Sequence, residues 1–264
     1  MENDSNLGYA AGINSALPYA TGEFIAPLNI DTEVTPDWLV VMVRFLEANP
    51  QASAVTPKIL LFDDRKRINA EGHNIHVTGL SFCRHLNKTD SGPTAPERVS
   101  GVSGCSYLMR RELFERMGGA PADSFMSNDD VIVSWLLHLM GYEIYCHSGA
   151  VVYHKYRLKM DPNKLFRLEK DRGKLVLSTL RPVTLVLMSP VFLTIELMIL
   201  AYSLVKGRAY ARAKCNALAS LWRERRGISE KRKRYSKLRK VPDRRLLGRL
   251  RWCLEWRQLL GIMR

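Results

Sequence analysis

No CxxC pair occurs in this sequence, and its five cysteines (Cys83, Cys105, Cys146, Cys215 and Cys253) are scattered. That spacing gives neither a disulfide framework nor a standard zinc framework, and it suits a reducing compartment. A basic-then-apolar leader is missing from the first residues, so nothing in them directs the domain outward. No internal repeat is present. Excess charge is also missing from most of the chain. Residues 1–205 hold 20 Lys+Arg against 22 Asp+Glu, a net of −2. The formal charge of +14 therefore sits in residues 206–264, where 20 basic residues face 4 acidic ones, a net of +16. A uniformly basic nucleic-acid-binding fold does not divide its charge this way. What remains is a chain of 264 residues, 46% hydrophobic, enough for one good-sized domain and an appendage.

The chain alternates helical and extended signals. Tyr9 to Ala20 is Ala-rich and predicts a helix, with Gly22 placed as its C-terminal cap. The apolar run Phe24–Leu28 predicts a buried strand leading into Asn29-Ile30-Asp31. Thr35-Pro36-Asp37 reads as a helix start, and the helix Trp38–Ala48 stops at Asn49-Pro50. A strand follows at Ala52–Thr56. Residues 68–100 are rich in Gly, His, Asn, Ser and Thr and predict a hairpin and a loop. Further strands are expected at Val102–Met109, Glu143–Cys146 and Val151–His154, and helices at Arg111–Met117 and Asp130–Met140. Strands alternating with helices imply an α/β sheet covered on both faces.

Three places along this pattern could carry chemistry. Asp31 follows an apolar strand and precedes a polar turn, where α/β folds place ligands. Asn29, two residues earlier, points to the same side of an extended backbone. Such oxygen donors suit Mg2+ or Mn2+ holding a diphosphate, although Asp is also common in strand-end turns. Asp129-Asp130 opens a helix after Ser127-Asn128. Two acids there can offset the helix dipole and cap free N–H groups, or one can serve as a general base. His154 ends a strand and is either structural or a metal ligand. His73, His76, Cys83 and His85 could form a zinc cluster, but their spacing fits no standard pattern.

The order of these features resembles the family 2 glycosyltransferases of the GT-A fold, in particular their rhamnosyltransferase-like branch. The segments that carry the resemblance are "NLGYAAGINSALPYATGEFIAPLNIDTEV", "GCSYLMRRELFERMGGAPADSFMSNDDVIVSWLLHLMGYEI" and "AVVYHKY". It implies an inverting, metal-dependent transfer of a sugar from a nucleotide-sugar donor to a glycan or polyprenyl-linked acceptor in cell-envelope polysaccharide synthesis. By the same resemblance Asp31 and Asn29 stand at the metal- and donor-binding DxD-type motif. Asp130, with Asp129 before it, is the general base. Asn14 and Gly104 lie near the donor, and His154 is a further metal contact. Ile132 and Leu136 replace an acid and an arginine of the branch. The resemblance also implies a strand, a helix and a second strand before the "NLGYAAG" segment, so a GT-A mixed sheet truncated at its N-terminus is expected. A catalytically inactive membrane-bound fragment or partner subunit is the alternative.

From Pro182 to Val205 runs an apolar segment long enough to cross a bilayer of ~30 Å. Pro190 interrupts it, and one crossing would export the basic tail against the positive-inside tendency. A re-entrant or in-plane element is expected, with a single span as the alternative, at the cytoplasmic face of the membrane. In the tail, Leu246, Leu247, Leu250, Leu254 and Trp256 among Arg244, Arg245, Arg249, Arg251 and Arg257 suggest a basic amphipathic helix on anionic lipid. No recognised RNA-binding motif is present. The expected organisation is a catalytic domain at 1–160, a linker helix at 161–181, the hydrophobic segment at 182–205 and the basic tail at 206–264.

Overall fold

The structure is a computed structural model, and it describes residues 3–124, 128–156 and 159–263. Its nine strands, in chain order, are β1 (Phe24–Ile25), β2 (Thr32–Val34), β3 (Ala52–Leu61), β4 (Ile68–Ala70), β5 (His73–Ile75), β6 (Ser81–Cys83), β7 (Glu97–Arg98), β8 (Leu108–Arg110) and β9 (Glu143–His154). The helices of the first half are α1 (Tyr9–Ala16), α2 (Trp38–Ala48), α3 (Arg111–Met117) and α4 (Asp129–Leu139). The second half is helical: α5 (Pro162–Thr179), α6 (Pro182–Leu187), α7 (Ser189–Lys206), α8 (Arg208–Arg223), α9 (Arg225–Leu238), α10 (Asp243–Leu247) and α11 (Trp256–Met263).

The main sheet runs β1-β8-β3-β9-β2, with β4 added to β3 and β7 to β9. Only β3 and β9 are parallel, and every other pair in this sheet is antiparallel. β9 is one continuous strand where the sequence suggests two; Ser148-Gly149 passes through it as an irregularity in the register with β3. Neighbouring residues on a strand face opposite sides. Ala54 and Ile144 therefore pack with α4 in one apolar cluster, while Val55 and Tyr145 pack with Met42 and Leu46 of α2 in another. Helices thus cover both faces of a mixed sheet. α4 is buried from Val131 to Leu139, so it is a core helix rather than an amphipathic one.

Several expectations are corrected locally. α1 ends by tightening into a short 3-10 turn at Leu17–Tyr19, where Pro18 cannot donate, so Gly22 is not its cap. β1 is a two-residue edge strand, and the Phe24–Leu28 run is not buried: Leu28 is exposed and Ile30 fully so. Residues 102–107 turn through isolated bridges instead of extending β8. In contrast, α3 has the expected bounds, and it closes on Gly118 and Gly119, both at positive φ (82° and 81°).

The largest correction concerns the second half. The apolar core does not close at His154. Leu175, Val176, Leu180, Met188, Tyr235, Val241, Leu246, Leu247 and Leu250 join the same buried cluster as α4 and Trp135. Leu246, Leu247 and Leu250 therefore cover α4 instead of facing lipid, and residues 244–257 do not form one helix. Burial against an existing apolar helix satisfies these leucines within the chain.

Two polar devices hold the helices in place. Glu169 and Arg172 of α5 form a bidentate pair at 2.7 and 2.8 Å, and both are joined by Glu196 of α7 and Lys214 of α8. Arg172 and Lys214 are almost fully buried, which is tolerable only because each meets two carboxylates. The second device uses the basic tail. Arg234 donates to the Met117 carbonyl at the end of α3, Arg249 to those of Gly141 (2.9 Å) and Tyr142 just past α4, and Arg232 and Arg239 to those of Leu177 and Thr179 at the end of α5. The last carbonyls of a helix lack intrahelical partners and carry its negative pole, so guanidinium groups are suited to them.

Candidate active site

A cavity of about 400 Å3 opens at one end of the sheet. Asn29, Gly104, Asp129, Asp130 and His154 all line it. These come from four separate segments, brought together by the β3–β9 pairing and by the approach of the 103–105 turn to the start of α4. Asp31 stands beside them at the rim, half exposed, with Oδ1 3.5 Å from His154 Nε2. Asn14 does not line the cavity. Its amide accepts from the Ala120 N–H (2.8 Å) and donates to the Ala120 carbonyl (2.9 Å), clasping the turn after α3. Ser127 lies outside the described residues.

Asp130 is held in three directions. Oδ2 accepts the Gly104 N–H at 2.8 Å, and Oδ1 accepts the Val131 N–H at 2.8 Å. The second of these is a helix-start contact, so one carboxylate both steadies the helix and faces the cavity. Third, His73 Nδ1 lies 3.4 Å from Oδ2. Gly104 allows this closeness: a Cβ there would stand 3.2 Å from Oδ2 and 3.4 Å from Cγ. The Gly104 carbonyl in turn accepts the Tyr9 hydroxyl at 2.7 Å.

The electrostatics follow from crowding two carboxyl groups in a half-closed space. Asp129 is raised to about 7, first by burial and then by the charge of Asp130 beside it. The His73 imidazole is pulled both ways. Burial opposes its charging, but the charge of Asp130 prevails and raises it to about 9. At neutral pH the His73 ring is thus positively charged, 3.4 Å from the Asp130 carboxyl.

The second cluster is arranged differently. Thr32 pairs with His154 across β2 and β9, which puts Asp31 next to the imidazole. His154 Nδ1 is 3.0 Å from Asn69 Oδ1, and burial lowers its pKa against the pull of Asp31. The ring is therefore neutral, with its second nitrogen free to act as a ligand toward Asp31. A separation of 3.5 Å is close to that of neighbouring ligand atoms on one octahedral ion, ~3 Å for bonds of ~2.1 Å. These residues fit a divalent cation. Among the described residues, no group of three His, Cys, Asp or Glu donors forms around a point, so other ligands of such an ion would come from what it binds. Asn69 Nδ2 is buried without a hydrogen-bond partner among the described residues, a spare donor on the cavity wall.

The histidine-cysteine group dissolves. His73 faces Cys83 at 3.8 Å across the β5–β6 hairpin, but His76 is turned to Thr78 and the Trp252 carbonyl, and His85 to Glu71. Ile132 and Leu136 are both buried in the apolar core, one helical turn apart. Apolar residues in place of a buried ion pair cost a fold little.

Comparison with known proteins agrees with this geometry. Residues 1–118 match the family model described as glycosyl transferase family 2. That segment, less than half of the chain, is similar to the family. A poly-beta-1,6-N-acetyl-D-glucosamine synthase of Staphylococcus epidermidis is 27% identical over 146 residues, 54% of this chain and 33% of the relative. The enzyme of that name in Staphylococcus aureus strain COL is 28% identical over the same length and coverage. The match thus spans about a third of the curated relatives. The solved structure of GalNAc-T7 with UDP, GalNAc and Mn2+ superposes with a TM-score of 0.54 at 15% identity, over 69% of this chain and 36% of that one. This shared architecture is the GT-A fold. A mannosyltransferase of Pyrobaculum calidifontis in complex with GDP-Man and Mn2+ gives 0.47 at 18% identity, over 90% of this chain and 67% of that one.

Sequence reasoning missed four parts of the candidate site. His73 was legible only as a zinc candidate, because its pairing with Asp130 is set by the hairpin. Tyr9 and Asn69 carried no signal beyond their type. Gln258 of α11 lines the same cavity and exchanges two hydrogen bonds with the Cys83 backbone, from 175 residues away.

Proposed function

We propose that this family 2 glycosyltransferase moves a sugar from a nucleotide-sugar donor to a hydroxyl of a lipid-linked glycan acceptor, with inversion, in cell-envelope polysaccharide synthesis. The observation that carries the reading is the single cavity lined by both Asp130 and His154, with Asp31 at its rim. Asp31 and His154 would hold Mg2+ or Mn2+. When bound, the ion offsets the charge of the departing nucleoside diphosphate. Asn29 and the spare Asn69 amide supply polar contacts to the donor. Asp130, oriented by the Gly104 and Val131 N–H groups, accepts the proton of the attacking hydroxyl. His73 helps hold the Asp130 carboxyl in place, and the Asp129 carboxyl is the nearest secondary proton site. The UDP, GalNAc and Mn2+ held by the GalNAc-T7 structure, and the polysaccharide named for the curated relatives, are consistent with this assignment.

The proposed location is the cytoplasmic face of the membrane. α7 is the one helix among the described residues long and apolar enough to cross a bilayer. One of its faces is bound to α5 and α8 through Ile195, Ile199 and the Glu196 ion pairs, while Leu193, Leu197, Leu204 and Val205 face outward. A helix fixed sideways to a polar domain suits an in-plane position with its outer face in lipid. Anionic headgroups are the partners proposed for the exposed basic residues of α8 and α9.

The deciding experiment is turnover of UDP- and dTDP-sugars by the full chain with Mn2+, measured as release of the nucleotide. Activity should vanish with Asp31→Asn and fall by a factor of 100 or more with Asp130→Asn. Unchanged turnover in Asp130→Asn would remove the base assignment.

A further inference from the structure

A second cavity, of about 460 Å3, adjoins the acid-lined one and shares five wall residues with it: Ser81, Phe82, Asn128, Met160 and Leu168. Its character is opposite. Leu80 of the β5–β6 turn and Leu165, Met198, Tyr202, Val205 and Trp256 of α5, α7 and α11 form most of its wall. The charged residues on that wall, Glu169 and Arg172, are already paired to each other and to Glu196 and Lys214. The space therefore offers mainly apolar surface, with the Tyr202 hydroxyl as a buried polar group lacking a hydrogen-bond partner among the described residues. Its volume lies in the range of ordinary ligand sites, ~300–1,000 Å3.

Two further observations say what fills it. The outer wall is formed by the exposed side of α7 and α11, where Val205 is 82% and Trp256 59% accessible. An occupant can thus continue outward beside the helix most suited to lipid. At the inner end stands Lys164, a wall residue of the acid-lined cavity whose ammonium has no ion-pair partner among the described residues. The acid-lined cavity thus holds carboxylates and a cation, and the cavity adjoining it offers hydrocarbon. A molecule matching both carries a hydroxyl, a phosphate and a long apolar chain.

We propose that the apolar cavity is the binding site for the hydrocarbon chain of a prenyl-phosphate-linked acceptor, with Lys164 at its phosphate. This rests on the transferase reading above and adds the place where the acceptor's lipid is gripped. The α5–α7–α8 ion cluster is then the rigid floor of a lipid site as well as a helix clamp.

The test uses the full-length chain and a diazirine-bearing farnesyl phosphate as a photolabel. The label should map to the Met198–Val205 stretch of α7 and to Trp256 or Leu259. Unlabelled farnesyl phosphate should compete, and inorganic phosphate should not. Ala201→Trp, which fills the cavity from an accessible wall position, should weaken farnesyl phosphate binding at least tenfold. Leu197→Trp, on the same helix outside the cavity, should leave it unchanged. Val205→Trp serves as a second filler if the Ala201 variant melts early, and the wild-type label map needs no variant. Lys164→Gln should weaken farnesyl phosphate but not farnesol. Labelling elsewhere, equal affinity in both filler variants, or equal capture of a diazirine-bearing phosphatidylcholine would each overturn the proposal. Loss of wild-type donor turnover with labelling intact would instead remove the transferase reading and leave the cavity assignment standing.

Discussion

Replacing His73 by Asn keeps a hydrogen-bond donor near the Nδ1 position and removes the positive charge beside Asp130. The imidazole is held at about 9 instead of the ordinary 6.5, against burial, by the Asp130 carboxylate 3.4 Å away. One pH decade of such preference is 1.36 kcal/mol, so the pair favours the charged ring by ~3 kcal/mol. The folded value lies above the unfolded one. The contribution is therefore complete below pH 6.5 and is lost as pH rises through about 9. Urea unfolding at a series of pH values measures this. The wild type should lose ~3 kcal/mol relative to His73→Asn between pH 6 and 10. Curves that stay parallel within ~0.5 kcal/mol over that range would refute the ion pair. The same substitution bears on turnover. The His73 charge also restrains the rise of Asp129, so in the variant the Asp129 carboxyl should titrate at higher pH, read by NMR.

Three other outcomes follow from the geometry. Gly104→Ala places a Cβ 3.2 Å from Asp130 Oδ2, so it should lower kcat by a factor of ~10–100 while shifting stability by ~1 kcal/mol or less; steady-state kinetics with a thermal melt separates the two. Asp129→Asn removes a carboxyl that burial and Asp130 raise to about 7. An acid whose folded value is raised costs stability as pH climbs from its ordinary value toward 7, so the variant should be more stable than the wild type above pH 7 and nearly equal below pH 4, read from urea midpoints. Arg172→Met leaves Lys214 as the one cation against both Glu169 and Glu196 and should cost about 3–5 kcal/mol, seen as an early transition in thermal unfolding.

How much of this was readable beforehand differs by element. α2, α3 and α4 were legible to within a residue or so, because proline, glycine and acid punctuation fixed their ends. The Asp31, Asp130 and His154 positions came from the order of three segments, since each alone had an ordinary explanation as turn, cap or strand end. His73 was beyond reach for a physical reason. Its partner lies 57 positions later, and only the pairing of His73 with Gly101 brings the hairpin against the Gly104 turn. The tail was misread because periodicity reports an apolar face without saying what covers it. Leu246, Leu247 and Leu250 fit a lipid surface and a protein core equally well, and α4 is the nearer partner.

The arginines of the tail bear on where this chain can be cut. Arg232, Arg234, Arg239 and Arg249 each terminate a helix that belongs to another part of the chain, and Gln258 fastens the hairpin that carries His73. A boundary drawn after residue 160 would remove the guanidinium groups that bond the carbonyls at the end of α3 and just past α4, together with part of the wall of the acid-lined cavity. The acid-lined cavity therefore takes its walls from both halves of the chain, and a piece holding only the first half holds only part of it.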